Sequence, residues 1–238
     1  MKVTTHGEYL VQVTRFGMMN AFLVREADGF TLVDTGMSGS AAGILKAAAQ
    51  LGAPIRRITL THAHADHVGS LDALHQRLPE AEVSISARSA RFLAGDLRLD
   101  PDEQHDKLRG GWVACTTRPS RLLEPGDTVG SLEVVASPGH TPGHISFFDR
   151  RDGTLIAGDA YTTKGGISTA GTLRLLFPLT AMATWSKTVG LRSAEALAAL
   201  KPTRLAVGHG DTLPQPVAAM QRAIDEAKRH LEGAARGR

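Results

Sequence analysis

The chain has 238 residues, 42% of them hydrophobic, enough to bury a sizeable core in one large domain or two small ones. Lys and Arg total 27 against 24 Asp and Glu, and the basic residues are scattered among acidic ones, so no basic stripe for nucleic acid is expected. The single cysteine, Cys115, excludes an intrachain disulfide framework, and no run approaches the roughly 18 apolar residues of a membrane span or the pattern of a secretory leader, so a soluble, cytoplasmic protein is expected.

Short apolar runs open the chain. "YLVQV" (9–13), "AFLV" (21–24) and "FTLVDTG" (30–36) predict strands, with Ala27-Asp28-Gly29 supplying a hairpin turn. "SAAGILKAAAQL" (40–51) has helical spacing and is punctuated by Gly52 and Pro54. "RITLTH" returns to strand, "SLDALHQRL" to helix and "EVSISA" to strand, an alternation that argues for a layered α/β fold.

From about 95 to 120 the chain is polar and irregular, a surface excursion expected to cover something. Strands resume at "SLEVVASPG" and in the hairpin "HISFFDRRDGTLIAGDA", which turns at Asp152-Gly153. An apolar, mostly helical insertion follows near 171–195, then the strand "RLAVGH" and an amphipathic helix from about 215 to 232. The basic cluster "KRHLEGAARGR" reads as a solvated tail. No Gly/Ser-rich or Pro-rich linker divides the chain, so one domain over 1–238 is expected. A weak internal echo links "FTLVDTG" with "GTLIAGD", two strands that each run into an aspartate.

The chemistry sits at strand ends. In "THAHADH" (61–67), His62 and His64 alternate on an extended segment and point the same way, while Asp66 and His67 follow in the turn before a helix. Imidazole and carboxylate suit zinc, iron or manganese, and four such groups exceed what one catalytic ion needs from one loop. Further candidates end other strands: His140 after "VVASPG", Asp159 after "TLIAG" and His209 after "RLAVG", each beside a glycine that permits close backbone approach. Asp34, at the end of "FTLV", either caps the turn or orients the ligand loop, and the second role is favoured.

"THAHADH", with Asp34 in "LVDTG", His140 in "SPGHTPGH", Asp159 in "IAGD" and His209 in "VGHG", resembles the five ordered motifs of the metallo-β-lactamase-fold hydrolases over about residues 20 to 210. The resemblance implies a four-layer αββα sandwich of two similar halves, which gives meaning to the internal echo. It also implies two divalent metal ions per chain, zinc ahead of iron or manganese. His62, His64 and His140 would hold the first, Asp66, His67 and His209 the second, with Asp159 bridging. β-Lactamases of this fold commonly place a cysteine where Asp159 stands, and Cys115 lies far from every motif, so that activity is disfavoured. The full H-x-H-x-D-H loop is similar to glyoxalase II and to the N-acyl homoserine lactone lactonases.

On this reading a hydroxide shared by the metals attacks the carbonyl of a small ester, a lactone ahead of a thioester, and Asp66 passes its proton to the leaving group. A lactonase-like site lets Tyr161 steady the substrate carbonyl, and His144 is expected to be a buried hydrogen-bonding support. Phe16, Met18 and Met19 at a hairpin tip, and Leu175, Leu176, Phe177, Met182 and Trp185 on the insertion, are candidates for a pocket that takes an apolar substituent or for a homodimer contact. The expected partner is a small molecule with an apolar part, neither nucleic acid nor membrane. Alternative readings are a glyoxalase II-type thioesterase, a mononuclear iron dioxygenase acting on a persulfide and, last, a phosphodiesterase or nuclease.

Overall fold

The computed structural model describes residues 1–104 and 106–236; the end of the basic C-terminal cluster, 237 and 238, lies outside the described residues. In chain order the first half comprises β1 (Lys2–His6), β2 (Leu10–Arg15), β3 (Met19–Glu26), β4 (Gly29–Val33), α1 (Ala41–Gln50), β5 (Ile55–Thr59), α2 (Ala65–Val68), α3 (Leu71–His75), β6 (Glu82–Ser86), α4 (Ala87–Leu93) and β7 (Arg121–Leu123). The second half comprises β8 (Thr128–Val129), β9 (Leu132–Ala136), β10 (Ile145–Asp149), β11 (Thr154–Ile156), β12 (Tyr161–Thr162), β13 (Ser168–Thr169), α5 (Leu179–Ala183), α6 (Lys187–Ala199), β14 (Arg204–Ala206), β15 (Leu213–Pro214) and α7 (Val217–Arg236).

Strands β1 to β7 form one sheet in sequence order, and a second sheet runs β15-β14-β11-β10-β9-β8. Alternation along the strands shows how these sheets are layered. In β3, Ala21 and Leu23 pack with Ile44 of α1, Leu71 of α3 and Phe92 of α4, whereas Phe22 and Val24 pack with Phe147 and Ile156 of the second sheet. In β11, Leu155 turns the other way, onto Leu197 of α6 and Met220 of α7. Three apolar cores therefore separate four layers, helices outside and two sheets between them.

The halves share a topology. β4 forms an antiparallel hairpin with β3 and lies parallel to β5 across α1; β11 forms an antiparallel hairpin with β10 and lies parallel to β14 across α6. The two echoing segments, "FTLVDTG" and "GTLIAGD", occupy these equivalent strands. Because β4, β5, β9, β11 and β14 all end at the same edge, the residues that follow them converge there.

Three local readings change. β1 goes unread in the sequence because "KVTTH" is polar and largely exposed; it is an edge strand held by its ladder to β2. The 171–195 insertion is helical only over Leu179–Ala183 and from Lys187 onward, after turns and the small β12-β13 ribbon. The C-terminal helix continues to Arg236, and among the described residues no helix is long and apolar enough to cross a membrane.

The sheet-to-sheet core is the element on which both halves depend. Phe147, fully buried within it, is expected to cost about 3–5 kcal/mol when truncated to alanine, read as a lower denaturant midpoint with an unchanged slope.

Candidate metal centre

Asp34 follows β4 with φ 61°, a left-handed conformation that costs a residue bearing a Cβ. Three hydrogen bonds hold it there. The Thr61 backbone N–H and hydroxyl donate to its two oxygens, each at 2.8 Å, and His67 Nδ1 lies 2.8 Å from Oδ2. The carboxylate thus ties the start of the 61–67 loop to its end, with Thr35 N–H and hydroxyl bonding the His67 carbonyl behind it. Asp34 is fully buried and orients the loop; it does not face the cavity.

The proton on each buried imidazole can be assigned from its partners, because a carbonyl or carboxylate oxygen only accepts. The Thr61 hydroxyl spends its proton on Asp34, so His62 Nδ1, 3.0 Å away, is the donor to Thr61 Oγ1. His64 Nε2 donates to the Arg109 carbonyl at 3.0 Å. Thr184 Oγ1 donates to backbone carbonyls at 2.8 Å, so His140 Nδ1 donates to it at 3.1 Å. His67 Nδ1 donates to Asp34, and His209 Nδ1 donates to the Met18 carbonyl at 3.2 Å. Each ring is left with a second nitrogen pointing into the site.

Apart from His209 Nε2, which meets Asp66 and Asp159, those nitrogens are short of partners. Among the described residues, His62 Nε2, His67 Nε2 and Asp159 Oδ1 are buried with no hydrogen-bond partner. His64 Nδ1 and His140 Nε2 face each other at 3.0 Å, two lone pairs opposed, which is repulsive unless a cation or proton lies between them. Among the described residues, ligand atoms fall within 4.8 Å of one another in three groups: His62, His64 and His140; His62, His67 and Asp159; and Asp66, His67 and His209. Asp159 belongs to both sides, with Oδ1 3.4 Å from His67 Nε2 and Oδ2 3.3 Å from His140 Nε2 and 3.1 Å from His209 Nε2. Orphaned acceptors at this spacing fit metal ions of the nitrogen- and oxygen-binding type.

The two sides differ in charge. Burial holds His62 and His140 well below the ordinary imidazole pKa and His64 at about 4, so that side consists of neutral rings. On the other side burial opposes protonation of His67 and His209, yet Asp159 above all overcomes it, joined by Asp34 and Asp66 at His67, which lies well above its usual value, and by Asp66 at His209, held at about 9. Burial likewise opposes ionisation of Asp66 and Asp159, but the imidazoles of His67 and His209 overcome it and keep both carboxyls ionised. This corner carries concentrated negative charge that ring protons or a divalent cation can balance.

His144 stands apart from the ligand groups. It accepts the Asp159 backbone N–H at 3.1 Å and contacts Ser137 Oγ at 2.8 Å, and burial holds its pKa at about 3. With both nitrogens used, it fixes the turn that presents Asp159. Gly208 is required beside that turn, since a Cβ there would stand 2.2 Å from Asp159 Oδ1.

A cavity of about 310 Å³ opens over the cluster, floored by His64, Asp66, His140, Asp159 and His209. Leu179, Thr180, Met182 and Ala183 of α5 form one wall and Gly110-Gly111 the other. The irregular 95–120 stretch therefore does cover something. The Arg109 carbonyl and the Trp112 ring, 4.4 Å from the His64 ring, fix His64, and at Gly110 a Cβ would stand 2.4 Å from His64 Nε2. Asp106 accepts from Trp185 Nε1 at 3.0 Å, joining the two loops above the site.

The expected pocket residues divide. Met182 lines the cavity; Phe177 is buried with its ring 5.0 Å from that of His209, and Trp185 donates its backbone N–H to the His140 carbonyl at 2.9 Å, so both buttress ligands from behind. Met18 and Met19 act through their backbone on His209. Phe16, Leu175 and Leu176 are exposed and outside the cavity lining. Tyr161 is corrected outright: its side chain is fully buried in the core below α6, and its hydroxyl donates to the Ala194 carbonyl at 2.7 Å. The strand after Asp159 turns it inward, away from any substrate. Thr180, Thr184, Gly110 and the Arg109 and Met18 carbonyls went unread because carbonyls and lone threonines carry no sequence signal; only Gly110-Gly111 could have hinted at close approach.

Tyr161→Phe is expected to lower stability by about 1 kcal/mol through the lost hydrogen bond, while leaving metal content and turnover unchanged; unfolding curves and metal analysis on one preparation check both halves.

The profile of the Metallo-beta-lactamase superfamily matches residues 14–209. The uncharacterized protein YobT of Bacillus subtilis (strain 168) is 46% identical over 233 residues, covering 96% of this chain and 100% of the relative. A hydroxyacylglutathione hydrolase of Aeromonas hydrophila subsp. hydrophila is 32% identical over 160 residues, covering 66% of this chain and 52% of that protein. The structure of TTHA1623 in a di-iron-bound form superposes with a TM-score of 0.65 at 25% identity, covering 89% of this chain and 97% of that one. The profile match ends on His209, the last residue of the cluster, and takes in every other member; the chain belongs to the metallo-β-lactamase superfamily.

Proposed function

We propose that the chain is a hydrolase holding two divalent cations, zinc ahead of iron or manganese, and that it opens the carbonyl of a small ester with an apolar substituent, a lactone ahead of a thioester. The observation that carries this reading is the pair of opposed free nitrogens on His64 and His140, 3.0 Å apart beneath a cavity with an apolar wall. His62, His64 and His140 would hold one cation, Asp66, His67 and His209 the other, and Asp159 reaches both groups. When bound, such cations supply a water made nucleophilic near neutral pH and a Lewis acid for the carbonyl oxygen.

The chain's own groups do the rest. Asp66 is the ligand candidate with a substantially exposed side chain, 30%, and its carboxylate stands at the cavity floor 3.2 Å from His209 Nε2. From there it can take the proton of the attacking water and return it to the departing oxygen. Asp34, through His67 and Thr61, keeps the loop from rotating as charge shifts. Leu179, Met182 and Ala183 offer an apolar surface to the substituent, which favours an acyl or alkyl group over the charged ends of glutathione or a phosphodiester. The thioester reading rests on the likeness to a hydroxyacylglutathione hydrolase and uses the same carbonyl chemistry. A mononuclear iron dioxygenase would have no use for the complete Asp66, His67 and His209 group.

Metal analysis with a panel of lactones, thioesters and phosphodiesters tests the proposal. Two zinc-type ions per chain and lactone turnover that is lost on chelation and restored by metal are expected; one iron with oxygen uptake overturns it. Asp66→Asn is expected to cut kcat by about 10²- to 10⁴-fold with little change in KM, and near-normal turnover overturns its role as the proton carrier.

A further inference from the structure

The cluster is assembled from two sheets whose facing surfaces are packed by apolar side chains. His62, His64, Asp66 and His67 follow β5 of the first sheet, while His140, Asp159 and His209 follow strands of the second. Apolar packing is non-directional and tolerates small slips, whereas metal ligation demands registry to a fraction of an ångström. A directional tie across the sheets at the ligand edge is therefore to be looked for, and Asn20 supplies one.

Asn20 lies near the start of β3 in the first sheet and is buried, 2% exposed. Its Nδ2 donates to the Val207 carbonyl at 2.8 Å and to the Gly210 carbonyl at 2.7 Å, and its backbone N–H donates to the Gly208 carbonyl at 2.9 Å. All three acceptors belong to the second sheet's loop and bracket His209. The amide cannot turn over, because Gln12 Nε2 at 2.8 Å and the Thr14 hydroxyl at 2.9 Å both donate to Asn20 Oδ1. Both amide protons and both oxygen lone pairs are thus in use. Two residues earlier, the Met18 carbonyl takes the proton of His209 Nδ1. From the other side Thr162 and Thr163 hold the His209 carbonyl, at 2.9 Å from the Thr162 hydroxyl and 3.0 Å from the Thr163 N–H.

We infer that Asn20 is a positioning residue for His209: its side-chain amide, with Gln12 Nε2 3.1 Å from the same Gly210 carbonyl, clamps the 207–210 backbone of the second sheet to the first, so that His209 Nε2 meets Asp66 and Asp159 at 3.2 and 3.1 Å. The inference rests on the proposed two-cation reading. Nothing in Asn20 reaches the cavity, so it acts only through the ligand it places.

The test compares Asn20→Ser, whose short hydroxyl cannot span two carbonyls, with Thr212→Val. The second variant removes the Thr212 bond to Gln12 Oε1, 2.8 Å, in the same buried network and leaves both Asn20 bonds to the Val207 and Gly210 carbonyls in place. Zn²⁺ titration against a chromophoric chelator, with metal counted per chain, is expected to show the second cation bound about 10- to 100-fold more weakly in Asn20→Ser and the first unchanged. Thr212→Val should bind both as the wild type does, and only Asn20→Ser should shift the visible bands of the Co²⁺-loaded protein. Equal losses in the two variants, or none in Asn20→Ser, overturn the inference while leaving the two-cation reading intact. Wild-type protein that takes up no second cation overturns both. Should Asn20→Ser not fold, Thr14→Val removes one of the donors that orient the amide: weakening of the second cation supports the clamp, and unchanged affinity overturns it.

Discussion

At each ligand-type imidazole of the cluster one nitrogen is committed to an oxygen of the scaffold, and the other is aimed inward, as a lone pair on the neutral rings of His62, His64 and His140 and beside carboxylates on His67 and His209. Carboxylate Asp34, the Thr61 and Thr184 hydroxyls and the Arg109 and Met18 carbonyls are those oxygens. None of them would touch a metal, yet each fixes the tautomer of a ring that could. Without the commitments the same rings could turn or shift tautomer and satisfy one another. With them, the interior holds acceptors that face acceptors, a condition that burial makes costly and a cation relieves. A cation held there would therefore add its binding free energy to that of folding.

The scaffold that makes these commitments possible is a repeated arrangement of strands. In each half a hairpin delivers the central strand, a helix crosses over, and a parallel strand returns, so that carboxylates follow β4 and β11 and histidines follow β5 and β14 at one edge. Packing of Phe22, Val24, Phe147 and Ile156 between the sheets brings those edges together. Polar contacts then finish what packing leaves loose. His144 pins the Asp159 turn, the Asn20 amide grips the loop of His209, and the Trp185 indole joins two covering loops. Stability and site geometry are carried by different residues, which is why truncating a core phenylalanine and altering a clamp are separable experiments.

Much of the site is legible in the chain because ligands declare themselves by type and spacing. "THAHADH" after an apolar run, and His140, Asp159 and His209 beside glycines at later strand ends, are costly residues in places where a core would reject them. Tyr161 shows the limit of that logic. Its position two residues beyond Asp159 suggested a substrate contact, but one step of strand alternation decides whether a side chain meets the cavity or the helices behind, and it meets Ala194. The apolar insertion was equally ambiguous: hydrophobicity does not distinguish Met182 in a wall, Phe177 behind a ligand and Leu175 in solvent.

The sequence by itself determined the inventory: an α/β chain, most of its longer strands and helices in chain order, and a set of histidines and aspartates at strand ends, because periodicity and residue chemistry are local properties. Tertiary structure alone decided which of those groups face one another, which ring nitrogen is free, and which backbone carbonyls and amides hold them. Those depend on contacts between residues far apart in the chain, such as Asn20 with Val207 or His64 with His140, and no local pattern encodes a distance across two packed sheets.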